Sequence, residues 1–318
     1  MLSHRRALIP LLLALITLTT QAQSPPEAQS RFERGRERFS KGDFDGAISD
    51  FTRAIVISQH RKGRHVQQAQ GWNGEALFAG EEAGPGQIVF IDRITAAAYA
   101  NRALARYRKG DFEGAILDCD RALAINPGLD EAYSNRGAIR WAMGDLDGAL
   151  TDLDQAIVKN SQSAQAFDNR GNVRSLKGDA IRALADFEQA VRFSSERPEF
   201  YCDRGQARLR LDQLDGALAD FERALQLNPR LALAHYCRGT LWYARQDLDR
   251  AMVDFNRAIE LDSAHAIAYM LRGFTRWQLG QNREAEKDLE AAVQFDPSLK
   301  PTIAQFAAQR NGQALNEK

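Results

Sequence analysis

Small and apolar positions recur along this chain with a period of 34 residues. Gly137, Gly171, Gly205, Gly239 and Gly273 each follow an Arg and mark the same point of successive units. Later in each unit an Ala is followed by an aromatic residue or Leu and then by a second Ala, as in Ala183, Phe187, Ala190 and Ala217, Phe221, Ala224. A fixed period of this length signals a solenoid of stacked units. Small residues such as Gly171 and Ala183 let two helices approach closely, and the aromatic residue fills the space beside them. Gly110-Asp111, Gly144-Asp145 and Gly178-Asp179 fall between those marks. Gly tolerates the left-handed conformation that ends a helix, and Asp accepts from the orphan amides of the next one. The pattern therefore predicts one helix–turn–helix per unit and an all-α chain. Because a solenoid grows by stacking around a continuous core, one elongated domain is expected despite the length.

Counting the marking Gly as position 8 places units at 28–61, 96–129, 130–163, 164–197, 198–231, 232–265 and 266–299. The segment 62–95 equals one period but lacks the second-helix Ala and aromatic signature, and reads as an insertion loop. Gly84-Pro85-Gly86 marks a turn in it, and Ile88-Val89-Phe90-Ile91 has the composition of a strand. After the last unit, Ile303, Phe306, Ala307 and Arg310 repeat the first-helix spacing, so 300–318 is expected to hold a capping helix and tail.

These marks resemble the tetratricopeptide repeat (TPR) family, whose unit carries a small residue at position 8, Ala at 20, Phe at 24, Ala at 27 and often Pro at 32. Pro127, Pro229 and Pro297 occupy that last position. The resemblance implies a right-handed helix-turn-helix solenoid, the TPR superhelix, acting as a scaffold for protein partners. It also implies that the first helix of each unit lines a concave surface, with positions 2, 5, 6, 9, 12 and 13 reaching inward.

One departure from the family pattern is systematic. Position 7, often Leu in the family, is Arg34, Arg102, Arg136, Arg170, Arg204, Arg238 and Arg272, while position 23 is Asp50, Asp118, Asp152, Asp186, Asp220, Asp254 and Asp288. Opposite charges repeated in lockstep on facing helices point to bidentate Arg–Asp pairs that stitch the helices or adjacent units together. Arg136, Asp152, Arg170, Asp186, Arg204 and Asp220 are the expected central rungs. The alternative, an anion site, is opposed by the repeated carboxylates.

Position 6 carries Asn101, Asn135 and Asn169, then Asp203. Carboxamides at equal rise along a groove donate and accept, and can hold the backbone of an extended peptide whatever its sequence. This resembles the asparagine ladder of the repeat arm of O-linked N-acetylglucosamine transferase, broken here by Cys237 and Leu271. The competing reading has each Asn bonding a neighbouring helix. Asp168 and Asn172, on the same expected face, join the candidate set. Among aromatic residues, Tyr243, Phe274 and Trp277 are candidate anchors for partner side chains. Position 5 offers no Lys, so capture of a partner's C-terminal carboxylate is not expected.

Lys plus Arg and Asp plus Glu both number 42, and a near-neutral chain lacks the basic stripe that nucleic acid requires. Arg5 and Arg6, the apolar run 7–18 and Thr20-Gln21-Ala22 read as a secretory signal cleaved near Ala22, with 23–27 as a linker. The apolar run is shorter than the roughly 20 residues a membrane span needs. The expected location is exported and, in a bacterium, periplasmic. Three Cys would then be an odd complement in an oxidising compartment. Cys119 takes the aromatic core position, whereas Cys202 and Cys237 fall on neighbouring first helices, where a disulfide is possible but not favoured.

Motifs for catalysis, metal ligation or cofactor binding are not found: His60 and His65 miss the helical i, i+4 spacing and have no carboxylate beside them. No cofactor and no metal are expected. The reading is an exported protein-interaction scaffold that binds a peptide or protein segment, in envelope assembly or maintenance. The alternatives are a self-assembling structural subunit of the envelope and an enzyme with its chemistry in 62–95.

Overall fold

The structure, a computed structural model, describes residues 26–70 and 87–316. The expected signal at 1–22 and the Gly84-Pro85-Gly86 turn lie outside the described residues. By packing, the chain divides into two units, 1–169 and 170–318. Among the described residues every regular element is helical.

The first unit holds α1 (Pro26–Ser40), α2 (Phe44–Gln70), α3 (Gln87–Arg108), α4 (Phe112–Ile125), α5 (Asp130–Ala142), α6 (Leu146–Lys159) and the start of α7 (Ala164–Leu176). From α1 to α6 each helix packs on the next, and the alternate helices α1, α3 and α5 also touch in sequence. The second unit takes the rest of α7, then α8 (Ala180–Phe193), α9 (Pro198–Arg210), α10 (Leu214–Leu227), α11 (Ala232–Ala244), α12 (Leu248–Leu261), α13 (Ala266–Gln278) and α14 (Asn282–Phe295). A 3₁₀ turn over Pro297–Leu299 leads into the closing helix α15 (Lys300–Asn316). Here too neighbours pack in order from α8 to α14, and α9, α11 and α13 form the alternate series.

Residues 62–70 and 87–95 depart from the expected loop. Helix α2 runs on to Gln70 and α3 already starts at Gln87, so Ile88-Val89-Phe90-Ile91 forms helical turns and no strand. Strand preference reports fit to a pleated surface, and no sheet occurs among the described residues to supply one. The run is instead continuous with Thr95 and the Ala-rich stretch after it, which sustain α3.

Close approach within a pair follows from the marking Gly. A Cβ added at Gly171 would lie 2.7 Å from Phe187 Cε1, so only Gly lets that ring lie flat against α7. Phe51, Phe187, Phe221 and Phe255 are all buried in this way on the second helices. Between paired helices the turn needs a left-handed residue, and Gly110, Gly144 and Gly178 supply it with φ of 81°, 84° and 80°. The Asp after each then caps the next helix: Asp111 and Asp145 accept from the amides of Gly114 and Gly148 at 2.9 Å, and Asp179 from that of Arg182 at 3.1 Å. Asp212 and Gln246 hold the same left-handed place without being Gly, at φ of 57° and 60°.

Candidate functional site

Each position-23 Asp is buried on its second helix and gripped from the first helix of its own pair. In the first unit, Arg136 donates through Nε and Nη2 to Asp152 at 2.9 and 2.6 Å. Arg140, one turn later, adds Nη1 to Asp152 Oδ2 at 2.7 Å. In the second unit, Arg170 reaches Asp186 at 3.0 and 2.7 Å and Arg174 adds a bond of 2.7 Å. Arg204 and Arg208 hold Asp220 in the same manner, with Nη2 of Arg204 at 2.5 Å and Nη1 of Arg208 at 2.8 Å. Every carboxylate oxygen is thus met by charged donors, the condition under which a buried ion is tolerated.

The second arginine of this clamp escaped the sequence reading, although Arg106, Arg140, Arg174, Arg208 and Arg276 recur at a fixed offset of four from the first. So did a further contact across pairs. Arg102 Nη1 donates to Thr52 at 2.9 Å, Arg136 Nη1 to Asp120 at 2.5 Å and Arg272 Nη1 to Asn256 at 2.8 Å, each on the preceding second helix. At these three positions the guanidinium therefore ties its own two helices together and also ties the pair to the one before it.

One clamp is built differently. Trp242 replaces the second arginine for Asp254, and His235 Nδ1 lies 3.1 Å from Asp254 Oδ1 while its Nε2 lies 3.1 Å from the Pro229 carbonyl. Arg238 supplies the bidentate bonds at 2.8 Å each. Burial opposes ionisation of Asp254, but the hydrogen bonds from Arg238 and His235 outweigh it and hold the carboxyl below its ordinary value.

The carboxamides of the candidate binding row are partly engaged by the protein itself. Asn101 Nδ2 donates to the Ala97 carbonyl of its own helix at 2.9 Å. Asn135 Nδ2 crosses to the Ala100 carbonyl of the preceding first helix at 3.1 Å. Both side chains are half-buried, and neither Oδ1 accepts a hydrogen bond among the described residues. Asn169 is buried and accepts from Gln165 Nε2 at 3.0 Å, and Asp168 is buried beside it in sequence. In the second unit Asn172 and Asp203 are half-buried.

The aromatic candidates lie in packed surroundings. Phe274 is 5 % exposed, and its ring stacks on Phe306 of α15 with centroids 4.0 Å apart. Trp277 stacks on the same Phe306 at 6.0 Å, and the Arg310 guanidinium lies 5.3 Å from the indole. Tyr243 packs into this cluster, and its hydroxyl accepts from Gln278 Nε2 at 3.0 Å. The closing helix thus covers Phe274 and Trp277, which first-helix spacing alone does not reveal. Beside them, a cavity of about 530 Å³ is lined by Trp277, Leu289, Val293 and Ile303, with Glu286 and Glu290 also on its wall.

Of the three cysteines, Cys119 is fully buried, and burial pushes its thiol up to about 12. No group of three or more His, Cys, Asp or Glu placed to hold a metal occurs among the described residues. No helix among them is long and apolar enough to cross a membrane.

Residues 96–129, 198–231 and 266–299 each match a family model described as tetratricopeptide repeat. No curated protein matches the chain. Among solved structures, a tetratricopeptide repeat protein from Parabacteroides merdae is similar in fold at 17% identity and a TM-score of 0.58, covering 89% of this chain and 98% of that one. The Pseudomonas aeruginosa protein pilF is similar at 18% identity and a TM-score of 0.55, over 69% of this chain and 99% of that one. YrrB, a TPR protein with an unusual peptide-binding site, is 27% identical over 60% of this chain and 97% of its own, with a TM-score of 0.44. With three matched repeats, consecutive packed helix pairs and a neighbour of the same architecture along most of its length, the chain is a tetratricopeptide-repeat protein.

Proposed function

We propose that this protein is an exported interaction scaffold whose first-helix face holds an extended segment of a partner protein, in envelope assembly or maintenance. The fold class supports a binding role, and the N-terminal pattern of basic pair, apolar run and small residues supports export. Catalysis has no comparable support in the residues: the position-23 acids are engaged in clamps and the turn acids in caps.

The observation that carries the peptide reading is the state of Asn101 and Asn135. Each spends its amide on a backbone carbonyl, which fixes the carboxamide rotamer and leaves the Oδ1 as a preset acceptor on consecutive first helices. Acceptors so fixed lose little entropy when they meet the N–H groups of an extended chain. In the second unit Asp203 and Asn172 are the polar first-helix candidates, whereas Phe274 and Trp277 would contribute only if α15 were displaced.

The test is affinity capture from envelope extract with residues 23–318, beside a variant carrying Asn101→Ala and Asn135→Ala, both shown to melt alike. A partner held by the parent and lost by the variant is expected. A partner retained equally by both overturns the carboxamide reading, and its absence from the envelope fraction overturns the proposed location.

A further inference from the structure

We propose that Cys202 and Cys237 form a disulfide site that bolts α9 to α11. The two residues stand at positions 5 and 6 of successive pairs, and Cys237 interrupts the polar row of Asn and Asp at position 6. These two departures meet in space. Helix α9 packs directly on α11, and Gln206 Nε2, one turn beyond Cys202 on α9, donates to Cys237 Sγ at 3.1 Å. The same two positions in the first unit show how short the reach is, since Asn135 at position 6 bonds the backbone of Ala100 at position 5 across adjacent first helices. Both residues are buried, at 0% and 1% exposure, and both are free thiols in this structure, so neither faces an outside thiol. Cys119 belongs to the other unit.

The reaction is a two-electron oxidation by a small disulfide. When the seam between α9 and α11 opens, the deprotonated sulfur of Cys237 attacks the reagent and expels one thiolate, which takes up the proton that Cys237 lost. Cys202 then loses its proton and attacks the Cys237 sulfur of the mixed disulfide. A second thiolate leaves, so two thiols and one small disulfide become one protein disulfide and two small thiols. Interaction with Cys237 and, after it, burial raise the Cys202 thiol, which makes the pair slow to react and slow to be reduced once closed. In the cell the inference rests on the proposed export, because such bonds persist in oxidising compartments.

The full chain, prepared fully reduced, is held with oxidised glutathione a few degrees below its melting point, then alkylated and mapped by mass spectrometry without reduction. A Cys202–Cys237 crosslink with Cys119 still alkylated is expected, together with a rise in Tm of roughly 5–15 °C that Cys237→Ser abolishes. Three alkylated thiols, or glutathione left on Cys202 or Cys237 without a crosslink, overturn the proposal. Chain recovered directly from the producing cell separates the two readings. A crosslink that forms with glutathione but is missing from that material upholds the site and counts against export.

Discussion

The fit between Gly171 and Phe187 can be tested by exchanging volume across it. An added Cβ at Gly171 lies 2.7 Å from Phe187 Cε1 and 2.9 Å from Cδ1, well inside the roughly 3.5–4.0 Å at which carbon atoms rest. Phe187 is 1% exposed, so its ring has no free space into which to retreat. Overpacking of this kind costs about 1–3 kcal/mol. Ala is better than Gly inside a helix by roughly 1 kcal/mol, so Gly171→Ala alone should cost roughly 0–2 kcal/mol. The chain already contains the compensated version: Ala103 takes the Gly place opposite Cys119, and both are fully buried in one cluster. Phe187→Cys alone leaves a cavity and should cost about 2–4 kcal/mol. In that background the methyl of Gly171→Ala has room, and only the helix gain of roughly 1 kcal/mol remains. The cycle thus predicts a coupling of about 1–3 kcal/mol in favour of the double variant. Urea unfolding of the four proteins, followed by far-UV circular dichroism and compared at a common slope, measures it. A coupling within about 0.3 kcal/mol of zero would refute the steric account of the Gly–Phe rule.

Asp186→Ala leaves Arg170 and Arg174, 15% and 20% exposed, facing each other with no carboxylate between them. A loss of about 3–5 kcal/mol is expected in thermal or urea melts, and adding Arg170→Leu should recover part of it; equal losses would sink the clamp as an interdependent unit. The depressed carboxyl of Asp254 gives a pH dependence of definite sign. Its contribution is present above the ordinary value of 3.8 and is lost as pH falls through the lower folded value. Tm should therefore fall more steeply below about pH 4 in the parent than in an Asp254→Asn variant, and parallel profiles would remove this residue from the acid response. Asp212→Gly and Gln246→Gly relieve left-handed backbone at φ of 57° and 60°. Each should stabilise by roughly 0.5–1 kcal/mol, and unchanged or lowered urea midpoints would show that the turns carry no such strain.

Much of this molecule is legible in its residues because repetition converts single weak signals into registers. Gly171 by itself says little, but the same Gly after the same Arg in successive units identifies the close approach of two helices. The Gly-Asp turns are equally local, since one φ and one side-chain bond decide them. Contacts that depend on geometry between pairs are harder to read. Asn135 is the same residue type whether it grips Ala100 or a partner, and only the 3.1 Å bond to that carbonyl shows its amide to be taken. Phe274 and Trp277 carry the spacing of an open face, yet Phe306, on a helix beyond the repeats, covers them. For Ile88-Val89-Phe90-Ile91, local composition points to a strand, whereas the chain after it extends a helix backwards through the run.

The arginine contact between pairs has a direction. Arg102, Arg136 and Arg272 each reach toward a side chain that precedes them in the chain, Thr52, Asp120 and Asn256. Wherever the chain emerges N-terminus first, as it does from an export channel, every such arginine arrives after its acceptor. A newly arrived pair therefore meets a docking partner already in place, and assembly can proceed as a ratchet from the N-terminus without waiting for the last repeats.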